Sequence, residues 1–104
     1  MKTSGLASIP KVDSHCACLM DENMFIYGGY VADQGEYLKD ILCLNLNTME
    51  WKKFYASSPN SEEPEARNCG SMIAHSGNLW LFGGSNGTKT LNDMWKFDLA
   101  QNKW

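Results

Sequence analysis

Reactive side chains are few in this chain, and their spacing says more than their number. His15 and His75 are the only histidines, and they stand too far apart in sequence to read as a two-histidine metal pair. Cys16 and Cys18 are two positions apart rather than the three of a zinc knuckle. On a strand such residues point the same way but lie too far apart for an unstrained disulfide. With Cys43 and Cys69 they are read as four reduced, small apolar core residues. No Ser/His/Asp set or nucleophile elbow occurs. Gly28-Gly29 and Gly83-Gly84 close strand-like apolar triplets with no helix after them, so they do not form a phosphate cradle. Glu62, Glu63 and Glu65 make an acidic run beside Pro59 and Pro64. Such a run is ordinarily a solvated face, and less often a dock for a basic partner. The expectation is therefore no catalytic residue, no metal and no cofactor.

The elements that position these residues are strands. Ser14 to Met20, Met24 to Gly28, Lys39 to Leu46 and Glu50 to Phe54 each read as β, separated by turns such as Asp21-Glu22-Asn23 and Asn47-Thr48-Met49. Cys69 to Ala74, Leu79 to Gly83 and Asn92 to Leu99 follow the same plan, with a further strand beginning at Trp104. No stretch keeps a 3.6-residue apolar period between caps, so no helix is expected.

The plan is a repeat. Shifting the chain by 55 positions lays Gly28-Gly29 on Gly83-Gly84 and Phe25-Ile26-Tyr27 on Trp80-Leu81-Phe82. A shift of 53 then lays Leu38, Asp40, Leu44, Leu46 and Trp51 on Leu91, Asp93, Phe97, Leu99 and Trp104. The boundaries follow: an N-terminal segment 1–10, a first unit 11–56, a polar acidic loop 57–66 and a second unit 67–104. The strand Cys16-Ala17-Cys18-Leu19-Met20 is apolar on both faces, as in a sheet covered on both sides. Small antiparallel sheets stacked around an axis meet that demand. The fold class is accordingly all-β: two four-stranded antiparallel blades of a β-propeller, the last strand cut short.

An apolar triplet before a glycine pair, a Leu and an Asp before the third strand and a Trp opening the fourth resemble the kelch repeat, whose period is about 50 residues. The resemblance runs from about Pro10 to Trp104. It implies structural roles for Gly28, Gly29, Asp40, Trp51, Gly83, Gly84, Asp93 and Trp104. It also implies that residues after each glycine pair, and those entering each first strand, line a contact surface. Here those are Tyr30, Asp33, Gln34, Glu36, Ser85, Asn86 and Lys89, with Asp13, Ser14, Arg67 and Asn68. The signature is weak at the start of the first unit, where Val12 or Asp13 stands opposite Arg67. Arg67 has a second reading, as a structural arginine that ties down the strand entrance.

Composition narrows the function. An apolar share of 43% and a charged share of 20% are those of a globular domain. A formal charge of -3 argues against nucleic acid, which calls for a basic stripe. The apolar runs are too short to cross a membrane, and residues 1–10 lack the apolar core of a secretory signal. The expected function is a protein–protein interaction module, a scaffold or adaptor whose partner is another protein, in the cytoplasm or nucleus. The alternatives are a part of a metal-dependent kelch-propeller enzyme and a carbohydrate-binding propeller. Because propellers close with about four to eight blades, the chain is expected to self-associate or to need further blades. Leu6 to Ile9 of a neighbouring copy is the segment expected to complete the second sheet.

Overall fold

In the computed structural model the described residues are 4–5, 12–31 and 34–104, and they form strands, turns and no helix. The first unit folds as β3 (Cys16–Met20), β4 (Asn23–Tyr27), β7 (Ile41–Asn45) and β8 (Glu50–Tyr55), hydrogen-bonded in that order as an antiparallel meander. Its turns carry left-handed residues, Asp21 at φ 55° and Met49 at φ 59°. The second unit gives β9 (Asn68–His75), β10 (Asn78–Ser85) and β11 (Thr90–Asp98). A final turn brings Lys103 back to Asp98. These are the strands the repeat predicts, with ends shifted by at most two residues.

Four short strands lie outside that expectation. β1 (Ser4–Gly5) pairs parallel with Glu50 and Trp51, on the outer edge of the first sheet. β2 (Val12–Asp13), β5 (Tyr30–Val31) and β6 (Glu36–Tyr37) form a small third sheet within what reads as loop. The segment expected to complete a neighbour's sheet, Leu6 to Ile9, falls outside the described residues, as does Asp33.

The two large sheets pack face to face. Phe25, Tyr27, Ile41, Cys43 and Tyr55 of the first meet Met72, Leu79, Leu81 and Phe97 of the second in one buried core. Period 2 explains the choice: in β10, Leu79 and Leu81 turn to the core, while Trp80 and Phe82 turn away. Edge-on ring contacts join the halves, Tyr55 to Phe97 at 5.3 Å and Tyr27 to Trp104 at 5.3 Å. On the first sheet's opposite face Leu42, Leu44 and Trp51 are buried with Val31 and Leu38 in a second core.

Repeat equivalence turns this packing into a statement about the second sheet. Phe25 and Tyr27, which receive the second sheet, correspond to Trp80 and Phe82. Those lie on the second sheet's far face, with Phe82 49% and Met94 65% exposed and Lys96 over the Trp80 ring. The second sheet is thus uncovered on its outer side, whereas the first sheet's outer face is largely covered within the chain. There the third sheet contributes Val31 to the burial of Leu44 and Trp51. β3 differs from expectation. It alternates, with Ala17 and Leu19 exposed, because the chain supplies a neighbouring sheet on one side of it only.

The reading of four reduced cysteines is corrected too. Cys18 and Cys43 carry free thiols, whereas Cys16 is disulfide-bonded. The sequence argument weighed only a partner two residues away on the same strand. The inner strands β3 and β9 lie side by side, so partners distant in sequence come within reach.

Candidate interaction face

Antiparallel order brings one end of every blade strand to the same edge. Cys16 pairs with Tyr27, and Ile41 with Tyr55, at the rim of the first sheet. Ser85 pairs with both Asn68 and Thr90 at the rim of the second. The β4–β7 and β10–β11 connections and the 56–67 connection therefore share one face, and only short turns occupy the other.

The glycine pairs knit this rim. Gly29 sits at φ 90°, and a Cβ there would collide with the carbonyl oxygen of Asp13 and stand 2.9 Å from the His15 nitrogen. Gly84, at φ 111°, presses in the same way on Asn68, with Gly70 N 3.0 Å away. The second glycine of each pair is thus the point where the strand entering the sheet crosses the strand leaving it. Gly29 N also donates to Arg67 O at 2.9 Å, tying the first sheet to the entrance of the second.

Arg67 is completely buried. Its Nη1 and Nη2 each donate to Asp93 at 2.7 Å, Nη1 also donates to Gly83 O at 3.0 Å, and Nε donates to Glu65 O at 3.0 Å. A bulge in which Asn92 and Asp93 oppose Gly83 aims both acceptors at the guanidinium. Hydrogen bonds from Arg67, helped by one from Trp95, hold the Asp93 carboxyl down at about 2 against the effect of burial. The structural reading of Arg67 describes its surroundings here; its guanidinium offers nothing to a partner. In the first unit Asp40 lacks such an arginine. It accepts from Ser57 N at 2.6 Å and pairs with Lys53 at 3.5 Å.

The acidic run divides. Glu62 and Glu65 are exposed, but the Glu63 side chain is only 7% exposed. Glu63 accepts from Tyr55 Oη at 2.5 Å and Ser57 Oγ at 2.6 Å, and pairs with Lys39 at 3.0 Å. Burial pushes this carboxyl up, and the three hydrogen bonds outweigh it, so it lies below the usual range. Burial, with the bond to Glu63, pushes Tyr55 up to about 12. The 56–67 connection is therefore pinned at its middle rather than loose.

Of the residues expected at the face, Asp13, Ser14, Tyr30, Gln34, Glu36 and Lys89 are exposed, and Asn68, Ser85 and Asn86 are half-buried. Tyr30 stands in register with Asp13 on one side and Tyr37 on the other, its ring 5.3 Å from that of Tyr37. A Cβ on Gly87 would stand 2.9 Å from Tyr37 Oη, and Asn86 Nδ2 donates to Glu65 Oε2 at 3.1 Å. The loops of both sheets thus touch around Tyr37. Sequence reasoning missed Tyr37 and Gly87, and had Glu65 only as part of an acidic run that could dock a basic partner. The cue lay in the two tyrosines, seven positions apart across Gly35, which could close a small hairpin. Among the described residues no group of three His, Cys, Asp or Glu side chains could hold a metal ion.

Comparison with known proteins bears on the whole arrangement. The profile of the KLHDC2/KLHL20/DRC7 Kelch-repeats domain matches residues 1–104. The chain belongs to the kelch-repeat family. Its two stacked antiparallel sheets are propeller blades, and kelch domains in general are protein-interaction modules. Human Kelch domain-containing protein 10 is similar, 31% identical over 85 residues, which is 80% of this chain and 19% of that protein. Human Kelch domain-containing protein 3 is 26% identical over 98 residues, 88% of this chain and 26% of that protein. The Drosophila melanogaster Leucine-zipper-like transcriptional regulator 1 homolog is 27% identical over 96 residues, 86% of this chain and 10% of that protein. This kelch chain therefore spans at most about a quarter of the length of these relatives.

Proposed function

We propose that this kelch chain is a non-catalytic recognition unit, a scaffold or adaptor segment that binds another protein on the rim where its long connections meet. The observation that supports it most directly is the convergence of the three long connections on one rim. Gly29 N reaches Arg67 O, Asn86 reaches Glu65, and the Gly87 turn lies against Tyr37. Loops carried on a rigid sheet can present side chains without the entropic cost of ordering them at each encounter. Arg67, Asp93 and Glu63 supply that rigidity from beneath.

Binding and stability separate in a simple experiment. Tyr30→Ala combined with Asn86→Ala is expected to weaken capture of the partner from a lysate. The melting temperature should fall only modestly, by the roughly 1 kcal/mol that the hydrogen bonds of Asn86 to Glu65 and to its own turn contribute, and Asn86→Ala alone serves as the stability control. Asp21→Ala with Gln101→Ala, on the short-turn face, is expected to leave capture unchanged. Loss of capture with the second pair and not the first would overturn the assignment of the rim.

A further inference from the structure

The row Asp13, Tyr30, Tyr37 crosses the small third sheet with each residue directly opposite the next, so the three side chains emerge on one side. Asp13 and Tyr30 are exposed, Tyr30 to 39%, and Tyr37 is half-buried. The tyrosine rings meet edge to face at 75°, so each leaves part of a negative π-face open. Glu65 is linked to the Tyr37 end of this row, since it accepts from Asn86, the neighbour of Gly87, whose turn lies against Tyr37 Oη.

The exposed charge around this row is predominantly negative. Among the described residues of the converging connections, Asp13, Glu36, Glu62 and Glu65 are exposed carboxylates. The cations nearby are mostly spent within the protein: Lys39 on Glu63, Lys53 on Asp40 and Arg67 on Asp93. Lys89, on the β10–β11 connection, is exposed and has no such pairing among the described residues. An aromatic pair flanked by carboxylates is complementary to an alkyl-ammonium or guanidinium group, which draws on the π-face and the Coulomb field together.

We infer that the rim takes a basic segment of a partner protein, with a Lys or Arg side chain laid across Tyr30 and Tyr37 between Asp13 and Glu65. This rests on the rim being the recognition surface and adds the chemistry of what it recognises. The acidic rim speeds encounter and the tyrosine pair fixes the position, so affinity falls as salt rises.

The probe is an acetylated, amidated peptide of alternating Gly and Arg, compared with counterparts carrying Gln or Glu in place of Arg. Each is titrated into the isotope-labelled chain and followed through backbone amide resonances. The expected result is that the Arg peptide moves the resonances of Asp13, Tyr30, Tyr37, Asn86 and Gly87, and binds at least about tenfold tighter than either counterpart. Tyr30→Ala is expected to weaken it about two- to fivefold, the worth of an exposed cation–π contact. Adding Asp13→Asn should weaken it further and flatten the salt dependence. Both positions are exposed, and unchanged melting temperatures confirm that the variants fold. Equal binding of the Gln or Glu peptide at these residues overturns the basic partner and leaves the rim standing. Absence of Arg-peptide binding, or binding indifferent to the double substitution, overturns it as well. Shifts confined to Ile73, Phe82 and Met94 would overturn both this inference and the rim.

Discussion

Arg67 and Asp93 show how one pair can decide the use of a neighbourhood. The sequence marks Asp93 by its repeat partner Asp40, but the arginine has no counterpart in the first unit, and nothing local distinguishes a buried guanidinium from an exposed one. Only the Asn92–Asp93 bulge opposite Gly83 brings its acceptors into line. Glu63 was illegible for the same reason, since Tyr55, Ser57 and Lys39 reach it across the connection rather than along it. Asp93→Ala would strand a fully buried cation, and about 3 kcal/mol of destabilisation is expected in urea unfolding, the lower end for a broken buried pair. The pH dependence has a definite sign. The Asp93 carboxyl titrates at about 2 when folded against 3.8 when free, so its contribution is complete above the free value and is lost as pH falls toward 2. Glu63, also lowered, acts in the same direction. Melting temperatures of the parent should therefore drop between about pH 4 and pH 2, and Asp93→Asn should flatten that drop while lowering the plateau.

At the scale of elements, the seven long strands were legible because each carries period-2 apolar residues bounded by turn chemistry. The repeat also fixes their order. The third sheet was not legible, because strands two residues long leave no periodicity to read and are held by their neighbours alone. Its consequence is that the first connection is a built surface rather than a tether. The second glycine of each pair is what lets entering and leaving strands cross. Gly29→Val would place a branched side chain at φ 90° against the Asp13 carbonyl, and soluble, cooperative folding is expected to be lost. Gly77, at φ 77° with nothing within 4 Å of a Cβ, is the control that pays only the backbone strain. Trp51→Ala empties a buried site in the second core, at a cost of about 3–5 kcal/mol by thermal or chemical unfolding. A parent-like melting temperature for either Gly29→Val or Trp51→Ala would break the blade assignment.

Over the whole molecule the asymmetry of the two sheets matters most. The first has both faces covered except along β3, where Leu19 is exposed, while the second exposes Ile73, Phe82 and Met94 on the side that corresponds to the first sheet's receiving face. Apolar patches of this kind mark association sites, and the chain on its own is expected to associate as concentration rises. Light scattering should show that rise, and Phe82→Lys with Met94→Lys should abolish it without lowering the melting temperature. A parent that stays monomeric throughout would mean that the face needs no cover. The same face also carries Trp80, half-exposed beneath Lys96, whereas Trp51 is buried in the second core and Trp95 and Trp104 border the first. Of the four indoles, Trp80 is the one whose surroundings change when something settles on that face. Its emission should move to shorter wavelength as water and the ammonium group are displaced. The protein thus carries its own optical gauge of whether the second sheet is covered, readable at low concentration without any label.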